Sequence, residues 1–400
     1  MSDRIVDRQP GAPATRSLPL DVFRGITVCF MIIVNNPGTE AFVYAPLQHA
    51  HWNGFTPTDL VFPSFLFAVG NAMSFTTGKL SSMGNAAFLR KITQRTFLIF
   101  LIGFCLYWLP FVERLPNGHW EAIPFSHTRI LGVLQRIALC YFLASLMIRW
   151  LSDKWTILLS ALFLLLYWLI LLRYGTTGDL LGIKGNAGYL LDKLVLGEDH
   201  MYQGEGFAFD PEGILSTIPA IVNVIAGYYT GLFLRQKSIT PQQPPIPQQP
   251  DASPGRSDKK LPRLLTAGAI LIILALAWSP LFPINKKLWT SSYVLLTIGL
   301  DLLILAALIG CIDVKGWSKW TRFFTVFGKN ALFIYILADV TDTLLSTIHV
   351  GEPLREWISE KGFQSWLPGA SGSLLYALVY MLFCWMIGKW LDWKRIYIKV

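Results

Sequence analysis

Charge is what this 400-residue sequence has least of. Asp, Glu, Lys and Arg make up 15% of it, where a soluble domain carries about 25%. Cysteine is sparse as well: Cys29, Cys105, Cys140, Cys311 and Cys384 each fall inside an apolar block, and no CxxC or Cys/His ligand spacing occurs. That offers neither a disulfide framework nor a zinc site, so five buried, inert thiols and no metal are expected. The alternating ten-residue pattern of a membrane β-barrel is missing. Residues 1–17 are polar and contain no apolar stretch, so they read as a tail without a cleavable signal.

What is abundant is apolar residues, 53% of the chain, in blocks long enough as helices to cross about 30 Å of hydrocarbon. The expected fold is therefore all-α, a polytopic membrane protein of about ten transmembrane helices in a lipid bilayer. The candidate spans are 18–36, 58–78, 96–111, 131–148, 155–172, 213–234, 264–282, 288–310, 323–345 and 371–388, with Pro110 ending the short third one. Residues 237–263 contain Pro-Gln-Gln-Pro-Pro-Ile-Pro-Gln-Gln-Pro and a Ser/Gly/Lys run. They read as a disordered cytoplasmic linker between residues 18–236, which hold six helices, and residues 264–400, which hold four.

The net charge of +9 follows topology rather than a nucleic-acid face. Of 34 Lys and Arg, 22 fall on the N-terminal side of these spans, 9 on the other side, and Arg24, Arg136 and Lys329 inside them. A bias of this size places both termini in the cytoplasm, in a bacterial cell at the inner membrane. Residues 173–212, on the outer side, hold seven carboxylates and suit a cationic amine.

One polar break stands apart. His49-Ala50-His51-Trp52-Asn53-Gly54, with Asp59 and Pro63 close behind, lies between the first two spans on the outer side. Polar groups at membrane depth are expensive and mark function by default.

Several motifs occur in order: Leu20-Asp21-Val22-Phe23-Arg24-Gly25, Val34-Asn35, the His49 break, Asp59-Leu60-Val61-Phe62-Pro63, Gly132-Val133-Leu134-Gln135-Arg136, Asp210-Pro211-Glu212-Gly213, Ile284-Asn285-Lys286-Lys287-Leu288-Trp289 and Gly328-Lys329-Asn330. Together they resemble the heparan-α-glucosaminide N-acetyltransferase family, over nearly the whole chain from about Arg16. The resemblance implies a membrane-embedded acetyltransferase that takes acetyl from cytoplasmic acetyl-CoA and passes it to an amino sugar on the far side. It maps the catalytic histidine to His49, with His51 as a second imidazole beside it, and the Val-Asn asparagine to Asn35.

The residue chemistry is compatible with those roles and with plainer ones. An imidazole titrates near pH 6.5 and serves as a general base, but an interfacial histidine also bonds to headgroups. The Asn35 amide is an oxyanion donor, a role worth about 2.7–4 kcal/mol in tested enzymes, or a helix C-cap. Asp59 orients His49 or favours the start of the second span. Arg24 and Lys329 lie about 9 Å inside their spans, at 1.5 Å per residue, where they bind CoA phosphates or pair internally, Arg24 with Asp21. Asn330 and Arg136 join the cofactor set. Arg129 and Arg136, seven residues apart, share a helix face, and Asp301 is the expected ion-pair partner of Arg136. For the sugar, Trp52, Asn53, Glu212 and Asp339 are candidates, with Asp342 near the last, although Trp52 is also a membrane-interface anchor. A homodimer is left open. Two other functions fit this pattern: O-acetylation of a cell-envelope glycan, and secondary transport of sugars, though no internal repeat of the kind common in transporters is evident.

Overall fold

The computed structural model describes residues 17–114, 119–235 and 260–398. The polar tail up to Arg16 and most of the Pro/Gln-rich linker lie outside them; the last residues of that linker begin a helix. The described chain is helical, with two small hairpins, β1 (Val112–Arg114) with β2 (Trp120–Ala122) and β3 (His349–Val350) with β4 (Glu352–Pro353).

The helices are α1 (Leu18–Asn35), α2 (Val61–Ser81), α3 (Asn85–Trp108), α4 (Val133–Trp150), α5 (Asp153–Tyr174), α6 (Ala187–Val195), α7 (Thr217–Arg235), α8 (Leu261–Trp278), α9 (Ser291–Ile309), α10 (Thr321–Lys329), α11 (Ala331–Thr347), α12 (Leu354–Trp357) and α13 (Ala370–Trp393). Among the described residues eight helices are long and apolar enough to cross a membrane, or nine with the bent pair α10 and α11 taken as one span; α3, which carries Arg90, Lys91 and Arg95, is not among them, and the expected ten are reached when it is counted as a crossing too. The chain is an all-α polytopic membrane protein.

Three spans differ from the reading of the sequence. The third begins at Asn85, not at residue 96. Its early turns carry Arg90, Lys91 and Arg95, whose charges hide a helix from any hydropathy window. The ninth is broken, with an 81° bend between Lys329 and Ala331, so Lys329 and Asn330 sit at a corner. Alpha-4 starts at Val133, which leaves Arg129 in the preceding loop; it shares no helix face with Arg136. The cysteines also divide: Cys29, Cys140 and Cys384 are buried, Cys105 and Cys311 half-buried.

Close helix crossings rest on glycine. A Cβ on Gly70 would lie 1.9 Å from the Val224 carbonyl oxygen, and one on Gly227 would lie 2.0 Å from that of Phe67. Alpha-2 and α7 therefore meet backbone to backbone, as small residues allow in membranes. Gly25 and Gly328 do the same for α1 and α10. The main core draws most on α1, α2, α4, α7 and α9, with residues of α3, α10, α11 and α13 joining it, whereas α5 and α8 bury only 28% and 17% of their apolar windows and form the periphery. Because successive crossings alternate in direction, the C-terminal ends of α1 and α3 and the N-terminal ends of α2, α4, α7 and α9 all reach the same end of the bundle. That end holds the His49 break.

Candidate active site

The His49 loop is docked, not free. Gly54 donates its N–H to the Ile284 carbonyl at 2.8 Å, and its φ of +125° is one that glycine alone adopts readily. The Asn285 amide donates to Asn53 Oδ1 at 3.1 Å, while its own oxygen accepts from Leu288 N–H at 2.8 Å. Trp52 donates its indole N–H to the Leu181 carbonyl at 3.0 Å and meets the Phe209 ring edge-on. Thus Trp52 and Asn53 tie loops together through these contacts. His51 is exposed and lines no part of the cavity.

Asp59 fixes His49 from behind. It sits in the 3-10 turn Pro57–Leu60 that leads into α2, and Oδ1 accepts from His49 Nδ1 at 2.7 Å. Oδ2 accepts from the backbone N–H of Thr56 at 2.9 Å and of Ala50 at 3.2 Å, and from the Thr56 hydroxyl. The reach back to Thr56 is one half of a capping box. One carboxylate thus closes the helix start and sets the imidazole tautomer, placing the proton on Nδ1 and leaving the Nε2 lone pair open. Asp59 is itself held in place by α9, where the Tyr293 hydroxyl donates to its carbonyl at 2.6 Å.

In front of His49 lies a cavity of about 70 Å³ lined by Asn35, Glu212, Lys286 and Tyr335, with Phe62, Phe65 and Ile137 as its apolar wall. Asn35 is the last residue of α1, and capping falls to its neighbour: Asn36 is buried and donates its amide to the Ile32 carbonyl at 2.8 Å. Asn35 is exposed to the cavity, with its amide available.

Lys286 was missed as a candidate, although its motif was visible. The ammonium lies 3.0 Å from His49 Nε2 and 3.3 Å from Nδ1. The signal was present: a Lys-Lys pair in a short loop between two apolar blocks on the outer side. What the sequence lacked was the loop-to-loop docking that brings 237 residues of separation to contact. Burial pushes the His49 imidazole below its ordinary range; the Asp59 hydrogen bond opposes this and the Lys286 charge adds to it. Burial likewise pushes the Lys286 ammonium down, against Glu212 and Asp59.

The carboxylates of the outer loop turn inward. Arg129 grips Asp210 through Nε at 3.1 Å and Nη2 at 2.6 Å, and Glu212 at 2.6 Å, between the rings of Tyr107 and Tyr202. Burial alone would raise Glu212, but Arg129, Arg136 and Lys286 outweigh it and hold the carboxyl below its ordinary range. Asp192, pushed up to about 7 by burial, accepts from Ile214 N–H. Glu205 pairs with Lys287 at 2.5 Å. The loop is therefore a folded wall with Glu212 at the cavity, rather than an open acidic surface.

The expected ion pair between Arg136 and Asp301 does not form. Arg136 is three residues into α4 and Asp301 ten into α9, a depth mismatch of about 10 Å at 1.5 Å per residue. Instead, Arg136 donates to the Gly213 carbonyl at 3.0 Å and to the Ser216 hydroxyl, and lies over the Trp289 ring. Asp301 accepts from the Ser64 hydroxyl. Arg136 thus belongs to the His49 end of the bundle.

The remaining candidates do not line this cavity. Arg24 pairs with Asp21 at 2.7 Å, and Lys329 with Asp392 of α13 at 2.7 Å. The Asn330 amide is committed to the C-terminal segment, donating to the Ile396 carbonyl and accepting from Ile398 N–H. Asp342 pairs with Arg355 at 2.9 Å. Asp339 is half-buried on α11, one turn beyond Tyr335.

Residues 16–187 match a family model described as heparan-alpha-glucosaminide N-acetyltransferase, catalytic. The chain is similar to the heparan-alpha-glucosaminide N-acetyltransferase of Homo sapiens, 29% identical over 391 residues, which take in 84% of the chain and 55% of that protein. Its counterpart from Mus musculus is 28% identical over 408 residues, 85% of the chain and 58% of the relative. The chain thus spans little more than half the length of these relatives. The family resemblance read from the motifs holds, and the matched segment contains Asn35, His49 and Asp59; Glu212 and Lys286 lie beyond it.

Proposed function

We propose, from the chain's kinship with the heparan-alpha-glucosaminide N-acetyltransferases, that it is a membrane-embedded acetyltransferase. It moves acetyl from cytoplasmic acetyl-CoA to the amine of a glucosamine-type sugar on the non-cytoplasmic side. The observation that carries this reading is the convergence of His49, its Asp59 partner and the free Asn35 amide on one cavity with an apolar wall. An amine attacking a thioester must lose a proton, and His49 Nε2 is the base in position to take it. The Asn35 amide is the donor for the oxygen that gains charge as the carbonyl is attacked. Glu212, ionised at the cavity, suits an ammonium or hydroxyl of the sugar. The apolar residues of α1, α2 and α4 suit the arm that carries the thioester.

The lysine and arginine bias supports the sidedness, with both termini cytoplasmic and the His49 end outside. CoA phosphates belong at the opposite end, near Arg24 and Lys329, which would exchange their present carboxylate partners for phosphate oxygens. Two chemical routes share this geometry. His49 deprotonates the amine for direct transfer, or is itself acetylated and relays the group. The reading is tested by supplying purified protein with acetyl-CoA and either glucosamine or a glycan bearing only hydroxyls. N-acetylated glucosamine is the expected product; transfer to the glycan alone would replace the reading with O-acetylation, and acetyl-CoA-independent sugar uptake would replace it with transport.

A further inference from the structure

Lys286 places an amine where an amine should react. Its nitrogen lies 3.0 Å from the basic Nε2 of His49, and it lines the same cavity as Asn35. Among the described residues its hydrogen-bond partners are the two imidazole nitrogens, and it makes no carboxylate ion pair. The neighbouring Lys287 is different: Glu205 closes it at 2.5 Å, so it is held as a paired ammonium. Burial also favours the neutral amine of Lys286, the form that is nucleophilic. The lysine therefore mimics the acceptor, with base and oxyanion donor both at hand.

We infer that Lys286 is a self-acetylation site, modified by acetyl-CoA when no acceptor sugar occupies the cavity. The inference rests on the function proposed above, since it needs acetyl-CoA in this cavity. The neutral Lys286 nitrogen attacks the acetyl carbon, a C–N bond forms and the thioester C–S bond breaks. His49 Nε2 takes a proton from the attacking nitrogen and returns it to the departing CoA thiolate. The products are Nε-acetyl-Lys286 and CoA thiol, and nothing is oxidised or reduced. Unlike an acetyl-imidazole, the resulting amide does not pass its acetyl on. The group stays in front of His49 and shuts the site, while a bound amino sugar competes for the same position and protects it.

The test uses the full-length protein in lipid nanodiscs, incubated with acetyl-CoA with and without glucosamine and followed by peptide mass spectrometry. Lys286, not Lys287, should gain one acetyl group, at least about tenfold faster than the exposed Lys361, because positioning raises effective concentration. Turnover measured afterwards should fall in step with occupancy, and glucosamine should slow both. His49→Ala should lose the fast label on Lys286 and keep the slow one on Lys361. An unmodified Lys286 in a preparation that N-acetylates glucosamine overturns the inference and leaves the proposed function standing. Equal labelling of Lys286 in His49→Ala also overturns it, as ordinary chemical acetylation. A preparation that yields neither label nor acetylated sugar overturns both.

Discussion

His49 sits between two groups that move its proton in opposite directions. Burial, and then the Lys286 charge, favour the neutral ring, while the Asp59 hydrogen bond favours the protonated one; the net effect is a lowered pKa. A base must be neutral to work, so activity should persist below the ordinary imidazole range. The acid limb of kcat/KM, which reports the free enzyme, is expected below about pH 6.5. Lys286→Met removes one of the groups that lower His49, so the limb should move to higher pH; a limb that stays or moves down contradicts the assignment. Asp59→Asn should lower kcat by roughly 10²–10⁴-fold, as when a triad carboxylate is neutralised and the wrong tautomer results. Substrate binding should change far less, as separate kcat and KM values will show. Between the two histidines, His49→Ala should abolish transfer and leave acetyl-CoA binding in place, while His51→Ala, on an exposed ring, keeps activity. The reverse pattern would move the catalytic role by two residues.

Two loops and a glycine crossing set these residues in place. The turn of residues 284–290 carries Lys286 to His49 because Asn285 and Ile284 bind Asn53 and Gly54. Nothing in local periodicity signals such a pairing, which is why the sequence made His49, Asn35 and Asp59 legible as candidates while Lys286 went unassigned. The spans were legible for the same reason that they exist, since lipid requires long apolar helices. Alpha-3 escaped at its start because Arg90, Lys91 and Arg95 interrupt the run. The bend at Asn330 escaped because the apolar runs on either side of Gly328-Lys329-Asn330 together make one membrane-length block. The carboxylates of the outer loop were legible as charge but not as structure: Arg129 gathers Asp210 and Glu212 from 81 and 83 residues away. At the α2–α7 crossing, Gly70→Val should destabilise the protein by about 1–3 kcal/mol or more through overpacking, seen as a lower Tm in detergent. Gly78, on the same helix, has nothing within 4 Å of a built Cβ. Gly78→Ala should therefore be neutral or stabilise by about 0.4–1 kcal/mol, and equal losses at both positions would contradict the packing account.

Taken whole, the molecule separates two ends of one bundle. The His49 end gathers His49 with Asp59, Asn35 and the Arg129 cluster; the other holds Arg24 with Asp21 and Lys329 with Asp392. On the proposed function, the bundle would give an acetyl group a way across the membrane without moving CoA across it. The charge bias predicts which end faces which compartment, and a single cysteine at Phe42, exposed near the His49 end, should react with an impermeant thiol reagent added outside intact cells. Protection there, with labelling only after lysis, would invert the orientation. The most direct measurement reconstitutes the protein in sealed vesicles, with radiolabelled acetyl-CoA on the face of Arg24 and Lys329 and glucosamine on the face of His49. The account predicts N-acetylglucosamine label appearing only on the glucosamine side, with wild-type protein and not with His49→Ala. Product formed only when both substrates share one face, or formed equally by His49→Ala, would contradict it.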